Sequence, residues 1–375
     1  MKRKSGQNFP FEKLRESAVF FGRTFFGIFC CFLGIYMTIS LAKNGADIFY
    51  YAMAFASPGT MIEVFQKPAF SPEEEQILPE AEIPSEPETE TPEEKELPVP
   101  DFAEILTEVP EKRRGKVTET QYSAAEGGIY IAFGNAIIKN CTSKSSEKIK
   151  SMLKTPHKLS LSSTDEPQIL IYHTHATESF EPSDRGYFDT GGSWRSTDPD
   201  RNMISVGDVL TSVLTEKGIG VIHDGTMHDD PSYNGSYQRS AVTIKNHLSE
   251  NPEIKICLDI HRDAIEPSGT EIVKPTAVIN GRKAAQIMII AGCDNGKMNM
   301  PDYWENLRFA AALADKLEEM YPGICRPILF DYRKYNMDLS PGLLLIEIGA
   351  SGNTLEEAQY SAMLLGNAIA EMFGE

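Results

Sequence analysis

Three largely apolar stretches between residues 166 and 375 each carry, at or near their ends, a side chain able to hold a metal or move a proton. Ile169-Leu170-Ile171-Tyr172 runs into His173-Thr174-His175, with Glu178 three residues further on. Residues 254–260 run into His261-Arg262-Asp263, and the apolar run 343–348 is interrupted by Glu347. Continuous apolar runs this short suit strands buried on both faces. In open α/β sheets, ligands and reactive groups collect at the carboxyl ends of such strands. The three ends are therefore expected to meet, and their chemistry suits one zinc ion.

The spacing around these runs supports that layout. Met203, Val206, Leu210 and Val213 recur at helical intervals and predict a helix over 202–217, closed by Gly218. A short strand is expected at 219–222, and helices near 237–250 and 302–320. Residues 270–291 read as a hairpin turning at Asn280-Gly281. A strand near 326–330 and a final helix opening at Asn353 or Thr354 complete the pattern, with Glu356 and Glu357 favoured by the helix dipole. Strand–helix alternation predicts an α/β fold in three layers: a mostly parallel sheet with helices on both faces.

Zinc takes imidazole nitrogen and carboxylate oxygen, and hydrolytic sites keep three protein ligands. His175-x-x-Glu178 supplies two and His261 the third. His173 and His175 would share a face of an extended strand, so one can ligate while the other orients it; His175 is the one spaced with Glu178. A carboxylate inside an apolar strand is costly without a partner, which makes Glu347 the candidate acid/base. Arg262 either meets a substrate carboxylate or oxyanion or pairs with Asp263. Asp259 either orients His261 or pairs with a lysine. His223 and His228, with Asp224, Asp229 and Asp230, form either a rim or a second metal site, solvated loop residues being the plainer reading.

The rest of the chain reads as a tether. Residues 1–23 are basic, and residues 24–42 carry no charge. Nineteen such residues are about enough to cross a bilayer core. The basic flank puts the N-terminus in the cytoplasm and everything beyond Lys43 outside. The competing reading is a cleaved leader ending at Ala54-Phe55-Ala56, but leader cores span only about 7–15 residues. After a membrane-proximal stretch, 43–70, the composition changes. Residues 71–111 hold fifteen acids, eight prolines and one base, Lys95, which predicts an extended, disordered linker over 71–116. It serves as a stalk, or as a docking tail for a basic partner. Residues 117–164 are read as an accessory lead-in and 165–375 as the catalytic domain. The net charge of −18 argues against nucleic acid, and the six cysteines lack any C-x-x-C spacing.

The chain resembles the stage II sporulation protein P family of endospore-forming bacteria. The likeness rests on Tyr172-His173-Thr174-His175-Ala176-Thr177-Glu178-Ser179, Tyr233-Asn234-Gly235-Ser236-Tyr237, Asp259-Ile260-His261-Arg262-Asp263-Ala264, Ile346-Glu347-Ile348-Gly349 and Asn353-Thr354-Leu355-Glu356-Glu357-Ala358. The resemblance implies a fold similar to zinc N-acetylmuramoyl-L-alanine amidases and cleavage of peptidoglycan, at the muramoyl amide and also at peptide cross-links, during forespore engulfment. It implies stage II sporulation proteins D and M as partners. It implies a His of the His173–His175 pair, Glu178 and His261 as ligands, with Glu347 as acid/base. In those amidases the acidic ligand comes from a separate helix. The region near Asn202 offers no Glu, which leaves the role to Glu178. A non-catalytic wall-binding scaffold and a zinc carboxypeptidase are the competing functions.

Overall fold

The computed structural model describes residues 108–123, 127–162 and 166–374. The basic tail, the apolar run 24–42, the stretch 43–70 and the linker up to residue 107 lie outside the described residues. The first strand, β1, is Arg114–Thr120, which begins inside the stretch read as linker. It is followed by β2 (Tyr130–Phe133), β3 (Ala136–Asn140) and helix α1 (Ser146–Leu153). Then come β4 (Ile169–Tyr172), β5 (Tyr187–Asp189), α2 (Met203–Glu216), β6 (Val221–Asp224) and α3 (Ser236–Glu250). The remainder is β7 (Ile256–Asp263), β8 (Glu271–Ile279), β9 (Arg282–Ala285), β10 (Ile287–Gly292), α4 (Tyr303–Met320), β11 (Ile328–Asp331), β12 (Leu343–Ala350) and α5 (Leu355–Phe373).

Eight strands form the central sheet in the order β2-β3-β11-β10-β12-β7-β4-β6. It is parallel except where β10 meets β12 and β2 meets β3. The pleat sorts its residues. Ile169, Ile171, Ile256, Leu258, Ile260, Leu344 and Ile346 join the apolar core under α1, α2, α4 and α5. Leu170, Tyr172, Cys257, Leu343 and Leu345 face the other way, under Ile244 of α3. Among the described residues, helices therefore cover both faces, four on one and one on the other. The segment 117–164 is part of this architecture, since β2 and β3 extend the main sheet.

A second sheet, β5-β1-β8-β9, was not expected from the sequence. The hairpin at Asn280-Gly281 joins β8 to β9 within it, both turn residues having positive φ, whereas β10 leaves for the central sheet. Helix ends follow local chemistry. The Asn202 side chain accepts from the Ile204 N–H at the start of α2, and Thr354 and Glu357 form a capping box at α5. Among the described residues no helix is long and apolar enough to cross a membrane.

Candidate metal centre

The carboxyl edge of β7 and β12 sets the geometry. Glu347 and His261 are register neighbours on these parallel strands. The pleat puts them, with Asp259, on the α3 side of the sheet. A register shift follows Glu347 directly, with Gly349 at φ +67°. Such irregularities re-aim side chains at strand ends. A Cβ at Gly349 would stand 2.6 Å from Asn353 Oδ1 and 2.7 Å from the Ala285 Cβ, so only glycine fits this close approach.

His175 and Glu178 reach the same place from the turn after β4. The His175 and His261 ring centroids are 5.2 Å apart, nearly perpendicular. Glu178 Oε2 lies 3.5 Å from His261 Nδ1 and accepts from the Arg262 backbone N–H at 3.2 Å. On its other side, His261 Nε2 is 2.8 Å from Asp259 Oδ1, an ion-pair contact rather than an in-line hydrogen bond. Asp259 in turn accepts from the Thr174 backbone N–H and Oγ1.

His173 does not join this group. The strand ends at Tyr172, and the turn that follows carries His175 across to the α3 side. His173 stays beneath α2. Its Nδ1 donates to the Ile260 carbonyl at 2.9 Å, and its Nε2 shares a proton with His223 Nε2, also at 2.9 Å. His223 Nδ1 meets Asp208 Oδ1. Both nitrogens of His173 are thus occupied, and burial together with His223 pushes its pKa down to about 3. The pair passes under Gly207, where a Cβ would come within 2.5 Å of His223 Nε2 and 2.7 Å of His173 Nε2. Gly207→Ala is therefore expected to destabilise the protein by about 1–3 kcal/mol through overpacking, although alanine is the better helix former. Urea unfolding checks this; a variant as stable as the parent would contradict the packing described.

Arg262 braces the site. Its guanidinium donates to the carbonyls of Ser179, Asp263 and Trp194, so it fixes the loop carrying Glu178 instead of presenting a free fork to the cleft. His228 is satisfied by the His173 carbonyl and Thr243 Oγ1, and His247 pairs with Asp224. The histidines and aspartates of 223–230 do not gather into a second centre. Other side chains surround His175. Tyr233 stacks on His175 at 4.4 Å, Arg195 lies over Tyr233, Tyr237 stands edge-on to His175 and stacks on Tyr335, and Asp229 lies behind His175. The 233–237 motif was visible in the sequence; nothing local placed it over His175.

The electrostatics suit a cation. Burial opposes charge on His261, yet Asp259 and Glu178 hold its pKa well above the usual value. Burial would raise Glu178, but the nearby His261 and the charge of Arg262 bring it to about 2. Burial, then the charge of His261, pushes His175 down to about 4. Burial and the charge of Asp263, opposed by His261, push Glu347 up to about 8. Among the described residues no three His, Cys, Asp or Glu side chains are so placed that they could hold a metal ion without adjustment. The donor types are nevertheless those zinc takes, imidazole nitrogen and carboxylate oxygen. The 3.5 Å between Glu178 Oε2 and His261 Nδ1 suits two ligands each about 2.0–2.2 Å from one ion. Glu347 Oε2 is enclosed without a hydrogen-bond partner.

Stage II sporulation protein P of Bacillus subtilis (strain 168) is 31% identical over 228 residues, 56% of this chain. The chain matches about half of that relative's length, 51%. Among solved structures, N-acetylmuramoyl-L-alanine amidase AmiC2 of Nostoc punctiforme is 12% identical at a TM-score of 0.33, over 56% of this chain and 97% of that one. The CwlD amidase from Clostridioides difficile, in complex with the GerS lipoprotein, is 13% identical at 0.33, over 54% and 94%. At these scores neither likeness adds to the fold described. A family model described as stage II sporulation protein P matches residues 51–370, nearly the whole chain, and on that match the chain belongs to the stage II sporulation protein P family.

Proposed function

We propose that this chain is a zinc-dependent peptidoglycan hydrolase of spore formation. It cleaves the amide between muramic acid and the first alanine of the stem peptide, and also peptide cross-links. Family membership supports the setting. One observation supports the chemistry: His175, Glu178, His261 and Glu347, from three separate stretches of the chain, meet at one sheet edge. The uncharged run 24–42 supports a membrane anchor holding the domain outside the cytoplasm. Sporulation proteins D and M are the partners this reading implies.

His175, Glu178 and His261 would hold the zinc, which supplies Lewis acidity for amide hydrolysis. The protein's own residues do the rest. Asp259 lies 2.8 Å from His261 Nε2, which turns Nδ1 toward Glu178 and the ion. Arg262 fixes the Glu178 loop through the carbonyls of Ser179 and Trp194. Glu347 sits in the shielded pocket that raises its pKa to about 8; a nearby divalent cation draws such a value back toward neutrality. A carboxyl in that range can take a proton from the attacking water and pass it to the leaving amine. Tyr233, 51% exposed, and Arg195 form the mouth through which substrate enters.

The test is digestion of purified peptidoglycan by the full chain. Turbidity should fall, stop falling after a chelator strips the metal, and resume when zinc is restored. Fragment masses should show muramic acid with a free lactyl carboxyl. Chelator-insensitive clearing would overturn the zinc assignment. Shortened stems alone would mean a carboxypeptidase, and no clearing at all a wall-binding scaffold.

A further inference from the structure

Each candidate histidine ligand stands beside an aspartate held by a threonine. For His261 the aspartate is Asp259, gripped by the Thr174 backbone N–H at 2.8 Å and by Thr174 Oγ1 at 2.7 Å. For His175 it is Asp229, gripped by the Thr177 backbone N–H at 3.3 Å and by Thr177 Oγ1 at 2.6 Å. The same device occurs twice in one turn, three residues apart. The Asp229 side chain is fully enclosed, and the Nη1 of Arg195 reaches its Oδ2 at 2.5 Å. Arg195 Nη1 also donates to Thr177 Oγ1, so the aspartate, the threonine and the arginine form one unit behind His175.

The two copies differ in one respect. His261 Nε2 is 2.8 Å from its aspartate, although off the line of a hydrogen bond. His175 Nδ1 is 3.9 Å from Asp229 Oδ2, too far for a hydrogen bond, and has no other partner. A buried ring nitrogen in that state is unsatisfied. The His175 ring lies flat against Tyr233, at an interplanar angle of 14°. An in-plane slide of about 1 Å under Tyr233 would bring Nδ1 into hydrogen-bond range and leave the stacking intact.

We propose that Asp229, fixed by Thr177 and Arg195, is the positioning residue for His175: it accepts the Nδ1 proton and so presents Nε2 to the metal. This rests on the zinc reading above. His261 does the reverse, with Nε2 toward Asp259 and Nδ1 toward Glu178, so the two histidines ligate through opposite nitrogens. Outer carboxylates of this kind set the tautomer of a ligating histidine, and their loss typically weakens metal binding about 10–100-fold.

The test uses the full chain, labelled with ¹⁵N-histidine, metal-free and with zinc added. Long-range proton–nitrogen correlation should show His175 protonated at Nδ1, with Nε2 shifting on zinc binding. By chelator competition, Asp229→Asn should bind zinc about 10–100-fold more weakly. A proton on Nε2 with zinc on Nδ1, or Asp229→Asn binding zinc within twofold of wild type, would overturn the assignment. If Asp229→Asn does not fold, the wild-type labelling decides alone. No zinc uptake by wild type, or uptake unaffected by His261→Ala, sinks the zinc reading and this assignment together. Uptake that needs His261 and is indifferent to Asp229 sinks only this assignment.

Discussion

Glu347→Gln should digest peptidoglycan roughly 10²–10⁴-fold more slowly than wild type, the usual worth of a positioned acid/base, while binding zinc as before. The reason lies in what surrounds the carboxyl. Oε2 is enclosed and accepts no hydrogen bond, so the near-isosteric amide forfeits no bond there. Burial and Asp263 are what raise this group to about 8, and glutamine removes that strain along with the charge. The variant should therefore unfold at the same temperature as wild type or above it. Rate and stability separate here, and that separation identifies a residue that moves protons rather than one that holds the fold. Clearing at the wild-type rate by a folded, zinc-loaded Glu347→Gln chain would remove Glu347 from the chemistry.

What could be read from the sequence was whatever local pattern dictates. The helices now placed at Met203–Glu216, Tyr303–Met320 and Leu355–Phe373 follow their apolar spacing closely, and the capping box at Thr354 marks its own position. Glu347 and His261 could be singled out because each follows an apolar run in a strand whose neighbours are buried on both sides. The second sheet left no such mark. β1 alternates only weakly between exposed and buried positions, and its partner β8 lies more than 150 residues away, Lys116 opposite Glu271. The assumption that His173 and His175 share a face fails because the extended backbone stops at Tyr172; periodicity says nothing beyond a strand's last residue. The places of Asp229, Arg195 and Tyr233 around His175 follow from no local pattern, because each comes from a loop whose path is set by contacts elsewhere. Arg195, for instance, is brought in by the Ser179 N–H to Trp194 carbonyl bond and the Ser196 N–H to Thr177 carbonyl bond.

Lys274→Met should lower stability by about 3–5 kcal/mol, the cost of leaving one member of a buried ion pair behind. Lys274 is only 1% exposed. Its Nζ is 2.6 Å from Glu357 Oε1 and 3.1 Å from Asp184 Oδ1. Glu357 cannot turn to water in the variant. Its Oε2 accepts from the Thr354 N–H at 3.1 Å and from Asn353 Nδ2 at 2.9 Å, contacts that start α5. The methionine would thus strand a fixed, buried carboxylate. Set against about 5–15 kcal/mol for a typical folded domain, the loss is severe, and the melting temperature should fall by roughly 10 °C. Adding Glu357→Gln should restore much of the loss, because it removes the stranded charge; the two substitutions then fail to add, as coupled neighbours do. The consequence reaches the candidate site. Lys274 ties β8 to Asp184, in the loop that leaves Glu178, and that loop is pinned to the start of α5 by the Glu181 N–H to Asn353 carbonyl bond of 2.9 Å. Lys274→Met should therefore weaken zinc binding as well as stability, and the double variant should recover stability more fully than zinc affinity. Equal unfolding temperatures for Lys274→Met and wild type would mean the ion pair contributes nothing and that the second sheet is held by its backbone alone.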